Sequence, residues 1–213
     1  MEAALQDRYR IPMIEETVIE DSDAGLMLRF KDGDMEAFTR LFARHTGPII
    51  NFAYRFVRNR GLAEDLAQEI FLRVYEAGAG YQVQAKFTTW LYRIATNVCL
   101  NEVRKPHVRA ALKNMEDSGG VPETGISCAT SVPALPDRLL EQQTVSRALR
   151  RTLEQLPENQ RAAFILNKYQ ELSYGEVADI MKISEKAVKS LIHRAKETLA
   201  EKLKPLLPGL INI

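Results

Sequence analysis

Apolar residues recur at spacings of three and four along most of the chain, which places them on one face of an α-helix. No stretch shows the sustained alternation of polar and apolar residues, bounded by turn residues, that is typical of paired strands. The sequence therefore predicts an all-α fold. The predicted helices lie near residues 23–31, 35–58, 62–76, 88–105, 138–156, 158–170, 173–181 and 185–204.

One segment, residues 114–137, interrupts this helical pattern. It contains four acidic residues, no Lys or Arg, and six Gly or Pro. Such a composition buries too little apolar surface to offset chain entropy, so it predicts a flexible linker. We therefore predict two small helical domains, 23–113 and 138–204, that the linker leaves unoriented relative to each other. An acidic tail (1–22) precedes them and a short tail (205–213) follows.

The charges are distributed unevenly, although the net charge is only +1. Residues 1–36 hold ten acidic and four basic residues, a balance of −6. Residues 86–113 have a balance of +5 and residues 182–213 a balance of +4. Phosphate-binding surfaces need clustered cations, and each predicted domain has one such cluster. Near-neutrality of the whole chain therefore does not exclude nucleic acid as a partner.

Membrane, secreted and metal-binding classes find no support in the sequence. The longest run without a charged residue is 124–136, 13 residues, whereas a membrane-spanning helix needs about 20 apolar ones. The charged N-terminus has no apolar core of a signal peptide, so we expect a cytoplasmic protein. Cys99 and Cys128 form no CxxC pair and the three histidines are scattered, so we predict no metal site and no cofactor.

The last three predicted helices have the order and lengths of a helix-turn-helix. In the final helix, one face is apolar and predicted to pack inward: Val188, Leu191, Ile192, Ala195 and Leu199. The outer face is basic and polar, which suits a helix that enters the major groove. A solvated Lys-rich face on an ordinary helix is the alternative. The candidate DNA-binding residues are Ser184, Lys186, Lys189, Ser190, His193, Arg194 and Lys196.

The helix near 62–76 has an acidic outer face. Opposite its apolar stripe lie Asp65, Gln68, Glu69 and Leu72. An apolar anchor among acids and an amide favours docking of a basic partner helix. A solvated acidic face with one stray Leu is the alternative, since single exposed apolar residues are common. A catalytic pair, Asp65 and Glu69, is a weaker reading because an open helix face has no pocket to shift either pKa.

The helix near 88–105 has a different outer face. Its inner stripe is apolar and includes Phe87, Leu91, Ile94, Ala95 and Val98. Cations, amides and an aromatic ring in one line suit nucleic acid whose bases have been unstacked. Trp90 is equally well explained as a partly buried core aromatic. The candidate nucleic-acid residues on this outer face are Trp90, Arg93, Asn97, Asn101 and Arg104.

These stretches match a known family. GLAEDLAQEIF (61–71) and FTTWLYRIATN (87–97) resemble region two of bacterial sigma factors. LPENQR (156–161), LSYGEVA (172–178) and AVKSLIHRAK (187–196) resemble region four. The two sets occur in family order with a linker between them. The chain is therefore most similar to the extracytoplasmic-function group, whose members have regions two and four and little else.

The resemblance implies specific roles. The positions of Asp65, Gln68, Glu69 and Phe71 would dock on the clamp of core RNA polymerase, with Leu72 beside them. The stretch from Tyr81 to Arg104 would capture and melt the −10 promoter element, with Lys86 and Phe87 in or next to a loop that holds a flipped base. The last helix would read the −35 element. No catalytic activity is implied, and an anti-sigma protein is an expected partner.

The turn before the last helix departs from the family pattern. Lys182 stands where relatives usually have Gly. A residue other than Gly in a left-handed conformation costs about 1 kcal/mol, which a packed domain tolerates.

Two other functions remain open from the residues alone. One is a helix-turn-helix regulator whose N-terminal domain binds a protein or small-molecule signal. The other is a helical hydrolase or nuclease that uses Asp65 and Glu69. A sensor needs a pocket in the 65–104 region, whereas a sigma factor needs the acidic docking face and the Trp-Arg-Asn stripe.

Overall fold

The computed structural model describes residues 21–117, 148–149 and 151–206, and these residues contain helices and no strand. The prediction of an all-α fold is confirmed. Residues 148–149 and 151–154 are also helical. The remaining helices are α1 (Asp23–Lys31), α2 (Met35–Val57), α3 (Arg60–Ala77), α4 (Phe87–Arg104), α5 (Pro106–Asp117), α6 (Glu158–Tyr169), α7 (Tyr174–Met181) and α8 (Glu185–Leu203).

Short polar side chains begin most of these helices. Ser22 accepts a hydrogen bond from the Gly25 amide at 3.0 Å, and Asn59 accepts one from Leu62 at 3.0 Å. Each bond satisfies an amide of the first helical turn, which has no partner within the helix. The predicted helices from 23 to 105 therefore agree with the structure to within a few residues. Pro48 lies inside α2, which continues through it.

Helix α5 is absent from the sequence prediction. Pro106 lies two residues after the last residue of α4 and reads as a helix stop, but it occupies the first position of α5. Proline is tolerated there because its missing amide hydrogen would have had no helical partner. The helix continues to Asp117, beyond the predicted domain end at residue 113. The rest of the predicted linker, 118–137, lies outside the described residues.

Helices α1 to α5 form the N-terminal domain. Its core contains the predicted apolar stripe of α3, with Ala63, Leu66 and Ile70 no more than 2% exposed. The inner stripe of α4 is buried as predicted, except that Ile94 is only half-buried. The two stripes meet because α3 and α4 each pack against α2 and against each other.

The C-terminal domain comprises the described residues from 148 onward, with α6, α7 and α8 as its main helices. It packs directly on the N-terminal domain, through α7 against α4. Buried apolar side chains of both domains form one contiguous cluster, which includes Phe56 and Tyr92 from one domain and Ile165 and Val177 from the other. The sequence predicted two unoriented domains, whereas the structure holds them together.

Among the residues described, no helix is long and apolar enough to cross a membrane.

Candidate nucleic-acid and protein interfaces

The outer face of α8 is exposed to solvent in the part of the chain that the structure describes. Lys186, Lys189, Ser190, Arg194 and Lys196 are all exposed. The opposite face is buried as predicted, with Val188, Ile192, Ala195 and Leu199 at most 6% exposed, although Leu191 is only half-buried. His193 is also exposed, and its Nδ1 lies 3.3 Å from a carboxylate oxygen of Glu197.

Local interactions define the start of α7 and the turn between α7 and α8. Ser173 and Glu176 form the capping box that starts α7. Lys182 ends α7 in the left-handed conformation, with φ 55° and ψ 45°, as its position in the turn predicted. A Cβ atom at Gly175 would lie 2.8 Å from Oε1 of Glu185, so a larger residue there would have to displace the Glu185 carboxylate.

Helix α8 begins at a capping serine. Ser184 accepts a hydrogen bond from the Ala187 amide at 3.2 Å. The hydroxyl of Ser184 therefore caps the helix. The backbone amides next to it form the positive, N-terminal end of the helix dipole. The seven predicted residues thus share one helix and, apart from this cap, present their side chains to solvent.

The acidic face of α3 is partly as predicted. Asp65, Gln68 and Leu72 are exposed, and 58% of Leu72 is accessible to solvent. Glu69 is half-exposed and pairs with Arg73 at 2.6 Å. Phe71 differs from the others because it is 4% exposed and lies inside the domain.

Phe71 supports an exposed aromatic residue that sequence reasoning missed. Its ring lies 4.8 Å from that of Phe42 on α2, and Phe42 is 40% exposed. Tyr75, one turn after Phe71, is 46% exposed and packs against Phe38. Phe42 and Tyr75 could have been identified from the sequence as apolar residues that lie outside the buried stripes of α2 and α3. The exposed face is therefore larger and more aromatic than the acidic patch alone.

The aromatic residues around the start of α4 pack against one another. Trp90 is half-buried, and its ring centroid lies 5.2 Å from that of Tyr81 and 5.8 Å from that of Phe87. Tyr81 and Phe87 are only 2% and 3% exposed. Burial, aided by the charge of Asp23, raises the pKa of Tyr81. Trp90 thus combines both readings of the sequence, since it packs in a cluster and keeps part of its ring accessible.

The loop before α4 is anchored at one end. A Cβ atom at Gly78 would lie 2.4 Å from Cε1 of Phe30, so this position requires glycine. Lys31 donates a hydrogen bond to the carbonyl of Tyr81 at 3.0 Å. The following residues, 82–86, are exposed. The loop therefore has a fixed start and an accessible tip.

The outer stripe of α4 is formed as predicted, with Asn97, Asn101 and Arg104 exposed and Arg93 half-buried. Two of the predicted cations are engaged by the C-terminal domain. Lys86 pairs with Glu176 at 3.0 Å, and Arg104 pairs with Glu158 at 3.0 Å.

These contacts lower the pKa of both carboxyl groups. Burial raises the pKa of Glu158, but hydrogen bonds from Arg104 and Arg109 outweigh this effect and hold it below its ordinary value. Hydrogen bonds from the amide and hydroxyl of Ser173, together with Lys86, lower the pKa of Glu176. Both carboxyl groups therefore favour the ionised form, which pairs with the cations that they face.

An enzymatic site at Asp65 and Glu69 gains no support from the geometry. Asp65 lies on an open surface, and Glu69 is paired with Arg73. Within the described part of the chain, no group of three or more His, Cys, Asp or Glu side chains could hold a metal ion.

Comparisons with known proteins agree with this arrangement. The family model described as Sigma-70 region 2 matches residues 41–109, and the model described as Sigma-70, region 4 matches residues 146–199. One match falls on the N-terminal helical domain and the other on the C-terminal one.

Individual relatives match over most of their length. The chain is 32% identical over 193 residues to the RNA polymerase sigma-H factor of Pseudomonas aeruginosa, covering 88% of this chain and 97% of that protein. It is 33% identical over 176 residues to the ECF RNA polymerase sigma factor SigW of Bacillus subtilis, covering 83% and 94%.

Two solved structures share the fold. CnrH, in complex with the cytosolic domain of CnrY, superposes with a TM-score of 0.60 at 24% identity, covering 86% of this chain and 97% of that one. The sigma factor RpoE of Bartonella quintana, in complex with the anti-sigma factor NepR, gives a TM-score of 0.56 at 22% identity, covering 78% and 96%. The sequence matches and the two helical domains together establish that the chain belongs to the extracytoplasmic-function (ECF) group of RNA polymerase sigma factors.

Proposed function

We propose that this sigma factor uses three separate helix faces: α3 docks on core RNA polymerase, α4 captures and opens the −10 element, and α8 reads the −35 element. The observation that carries this proposal is that α3, α4 and α8 each present the predicted outer face on a well-packed inner one. The protein itself performs no catalysis, and it works in the cytoplasm, where bacterial core polymerase meets the chromosome.

Docking depends on Leu72 and the acidic groups around it. Leu72 is the apolar anchor, because more than half of it is exposed in the free protein. Asp65 and Gln68 flank it on the same face and select a basic partner helix. Phe42 adds exposed aromatic area next to this surface, and Phe71 holds Phe42 in place from below.

Recognition of the −35 element depends on α8. Lys189, Arg194 and the other cations of the outer face contact phosphates and provide affinity without sequence information. Ser190 and His193 lie between them and are the candidates for contacts with base edges. The turn at Lys182 sets the angle at which α8 leaves α7.

Opening of the −10 element depends on α4 and the loop before it. Arg93, Asn97 and Asn101 lie in one line along the helix and can follow an unpaired strand. The accessible part of Trp90 offers a stacking surface at the point where this line meets the loop. Extrusion of a base costs a few kcal/mol, which contacts with the loop tip would have to supply.

An anti-sigma protein is a further proposed partner. The related structures of CnrH and RpoE are complexes with CnrY and NepR, respectively. We include the same class of partner here. A helix-turn-helix regulator with a sensory domain is not favoured, because the region two match covers the part of the chain where the sensor would lie.

Docking is tested by reversing the charge of the α3 face. Asp65→Arg combined with Gln68→Arg should reduce the affinity for core polymerase at least tenfold, because a basic face would meet a basic partner. The matched control is Ala200→Arg with Glu201→Arg, which makes the same total change in charge on an exposed face of α8. Equal affinity of the two double variants in a core-binding titration would contradict the assignment of this face.

A further inference from the structure

The start of α1 is joined to α2 by a buried hydrogen bond. Nε2 of His45 on α2 lies 2.9 Å from a carboxylate oxygen of Asp23 on α1, and His45 is 8% exposed. Burial raises the pKa of Asp23, but hydrogen bonds from His45 and Arg44 outweigh this effect and hold it below its ordinary value. Asp23 is therefore ionised near neutral pH, and because a carboxylate only accepts hydrogen bonds, Nε2 of His45 is the donor.

The ring of His45 also contacts the aromatic cluster at the start of α4, which consists of Tyr81, Phe87 and Trp90. The centroid of the His45 ring lies 5.4 Å from that of Phe87, and the Phe87 centroid lies 5.8 Å from that of Trp90. Tyr81 packs edge-on against Phe87 and Trp90, with centroid distances of 6.2 Å and 5.2 Å. His45 thus links α1 to the ring on which Trp90 packs.

Helix α1 reaches the same cluster at its other end. Lys31, its last residue, donates a hydrogen bond to the carbonyl of Tyr81 at 3.0 Å. This bond holds the backbone of Tyr81 but not its ring, whose hydroxyl is buried without a hydrogen-bond partner among the described residues. Aromatic packing alone allows several ring geometries. The bond between His45 and Asp23 adds a directional constraint on a ring that touches the cluster.

We propose that His45, fixed by Asp23, is a positioning residue for opening of the −10 element: it holds Phe87, and Phe87 holds the ring of Trp90 so that part of this ring faces the DNA. The role in opening rests on the proposed function of α4, whereas the effect on Trp90 can be measured in the free protein. Asp23 and α1 precede residue 41, where the region 2 match begins. The hydrogen bond therefore joins the matched part of the chain to a helix outside it.

Trp90 is the only tryptophan of the chain, so its fluorescence reports its surroundings without a label. His45→Ala should shift the emission of the free protein to longer wavelength and raise the acrylamide quenching constant about twofold, because the vacated space lets the rings move. The matched control is His107→Ala, at an exposed histidine of α5, and circular dichroism checks that both variants fold. An unchanged signal in folded His45→Ala, or an equal change in the control, would overturn the inference.

Two further substitutions at position 45 separate the hydrogen bond from the volume of the side chain, and they also serve if the alanine variant does not fold. His45→Gln can place an amide nitrogen near the position of Nε2 and keep the bond to Asp23. His45→Leu fills the space with an apolar group but donates no hydrogen bond. We expect the Trp90 signal of the glutamine variant to lie closer to that of the parent, even where the leucine variant is the more stable in urea. If leucine preserves the signal better, His45 only packs and the positioning role is wrong.

The contribution of Asp23 is tested by a double-mutant cycle. Asp23→Ala should change the Trp90 signal in the same direction as His45→Ala, and the double variant should equal His45→Ala alone, because Asp23 acts through His45. The matched control is Glu36→Ala, which removes an exposed acid from the first turn of α2. Additive changes, or no change in Asp23→Ala, would contradict this route.

Core polymerase and a promoter fragment test the role in opening. We expect His45→Ala to bind core polymerase as tightly as the parent and to open the duplex about tenfold more slowly, as measured by permanganate reactivity of thymines in the −10 element. A fragment that is already unpaired across the −10 element should reduce this defect, because the cost of opening is then removed.

The outcomes of this last experiment separate the inference from the proposed function. Weaker binding of core polymerase by His45→Ala, an equal defect on both fragments, or no defect on the duplex would overturn the role of His45 in opening. If the parent protein itself opens no promoter with core polymerase, the proposed function fails. The fluorescence of the free protein then still decides whether His45 positions Trp90.

Discussion

Arg104 Nε donates a hydrogen bond to a carboxylate oxygen of Glu158 at 3.0 Å and so joins the end of α4 to the first turn of α6. Arg109 of α5 binds the other oxygen of the same carboxylate at 2.9 Å. One acid of the C-terminal domain therefore holds two cations of the N-terminal domain, and its protonation should weaken both contacts.

Acid should loosen the domain interface through Glu158. Its pKa in the folded protein lies below the ordinary value of 4.5 because of the two arginines, despite the opposing effect of burial. A lowered pKa adds stability above pH 4.5, and this contribution is lost as the pH falls through the folded value. Urea unfolding of the parent protein between pH 7 and pH 3 should therefore show a steeper loss of stability than Glu158→Gln. Parallel curves for the two proteins would contradict this role.

Two leucines of α3 should separate folding from docking. Leu66 is 2% exposed, and Leu66→Ala should lower the free energy of unfolding by about 2–5 kcal/mol because it leaves a cavity. Leu72 is 58% exposed, and Leu72→Ala should change stability by about 0.5 kcal/mol or less. Only Leu72→Ala should weaken core polymerase binding in a folded protein. Denaturant unfolding and a binding titration measure the two effects, and a large loss of stability for Leu72→Ala would undermine the docking face.

Glycine at position 182, in the turn before α8, should stabilise the folded protein. Lys182 has φ 55°, a conformation that costs about 1 kcal/mol for residues other than glycine. Lys182→Gly should therefore raise the free energy of unfolding by about 0.5–1 kcal/mol, as measured in urea. Lys182→Val should lower it, because a β-branched residue is strained further there. A glycine variant less stable than the parent would show that Lys182 makes contacts that outweigh this strain.

Lys189 should contribute affinity for promoter DNA without contributing specificity. Lys189→Ala should weaken binding of the polymerase complex across sequences and reduce the slope of log affinity against log salt by about one. Ser190→Ala or His193→Ala should instead change which −35 sequence is preferred. The measurement is binding to a set of −35 variants at several salt concentrations. An altered preference in Lys189→Ala, or an unaltered one in both other variants, would reassign these residues.

Local signals in the sequence were sufficient for most of the fold. The capping box at Ser173 and Glu176, the apolar stripe of α3 and the inner face of α8 each depend on neighbouring residues, and each is present as predicted. Helix α5 was missed because a proline is common both at the first position of a helix and just after the end of one, so Pro106 alone did not distinguish the two.

The long-range contacts could not be predicted from the sequence pattern. Thr89 and Thr96 of α4 are 3% and 1% exposed, and threonines carry no apolar signal from which this burial could be predicted. The contact of Tyr92 with Gln170 joins residues on either side of the Gly- and Pro-rich segment. Composition predicts that such a segment is flexible, but it does not determine whether the domains that it connects bind each other.

This ECF sigma factor directs core polymerase to promoters, and run-off transcription measures that activity directly. Transcript starts mapped after its overexpression would supply a promoter fragment for run-off transcription with purified core polymerase. We predict a discrete transcript only when the protein and core polymerase are both present, because each DNA-binding face is small and simultaneous engagement needs the polymerase. The absence of a specific transcript above that of core polymerase alone would contradict this function. Equally tight promoter binding by the protein without polymerase would contradict the requirement for polymerase.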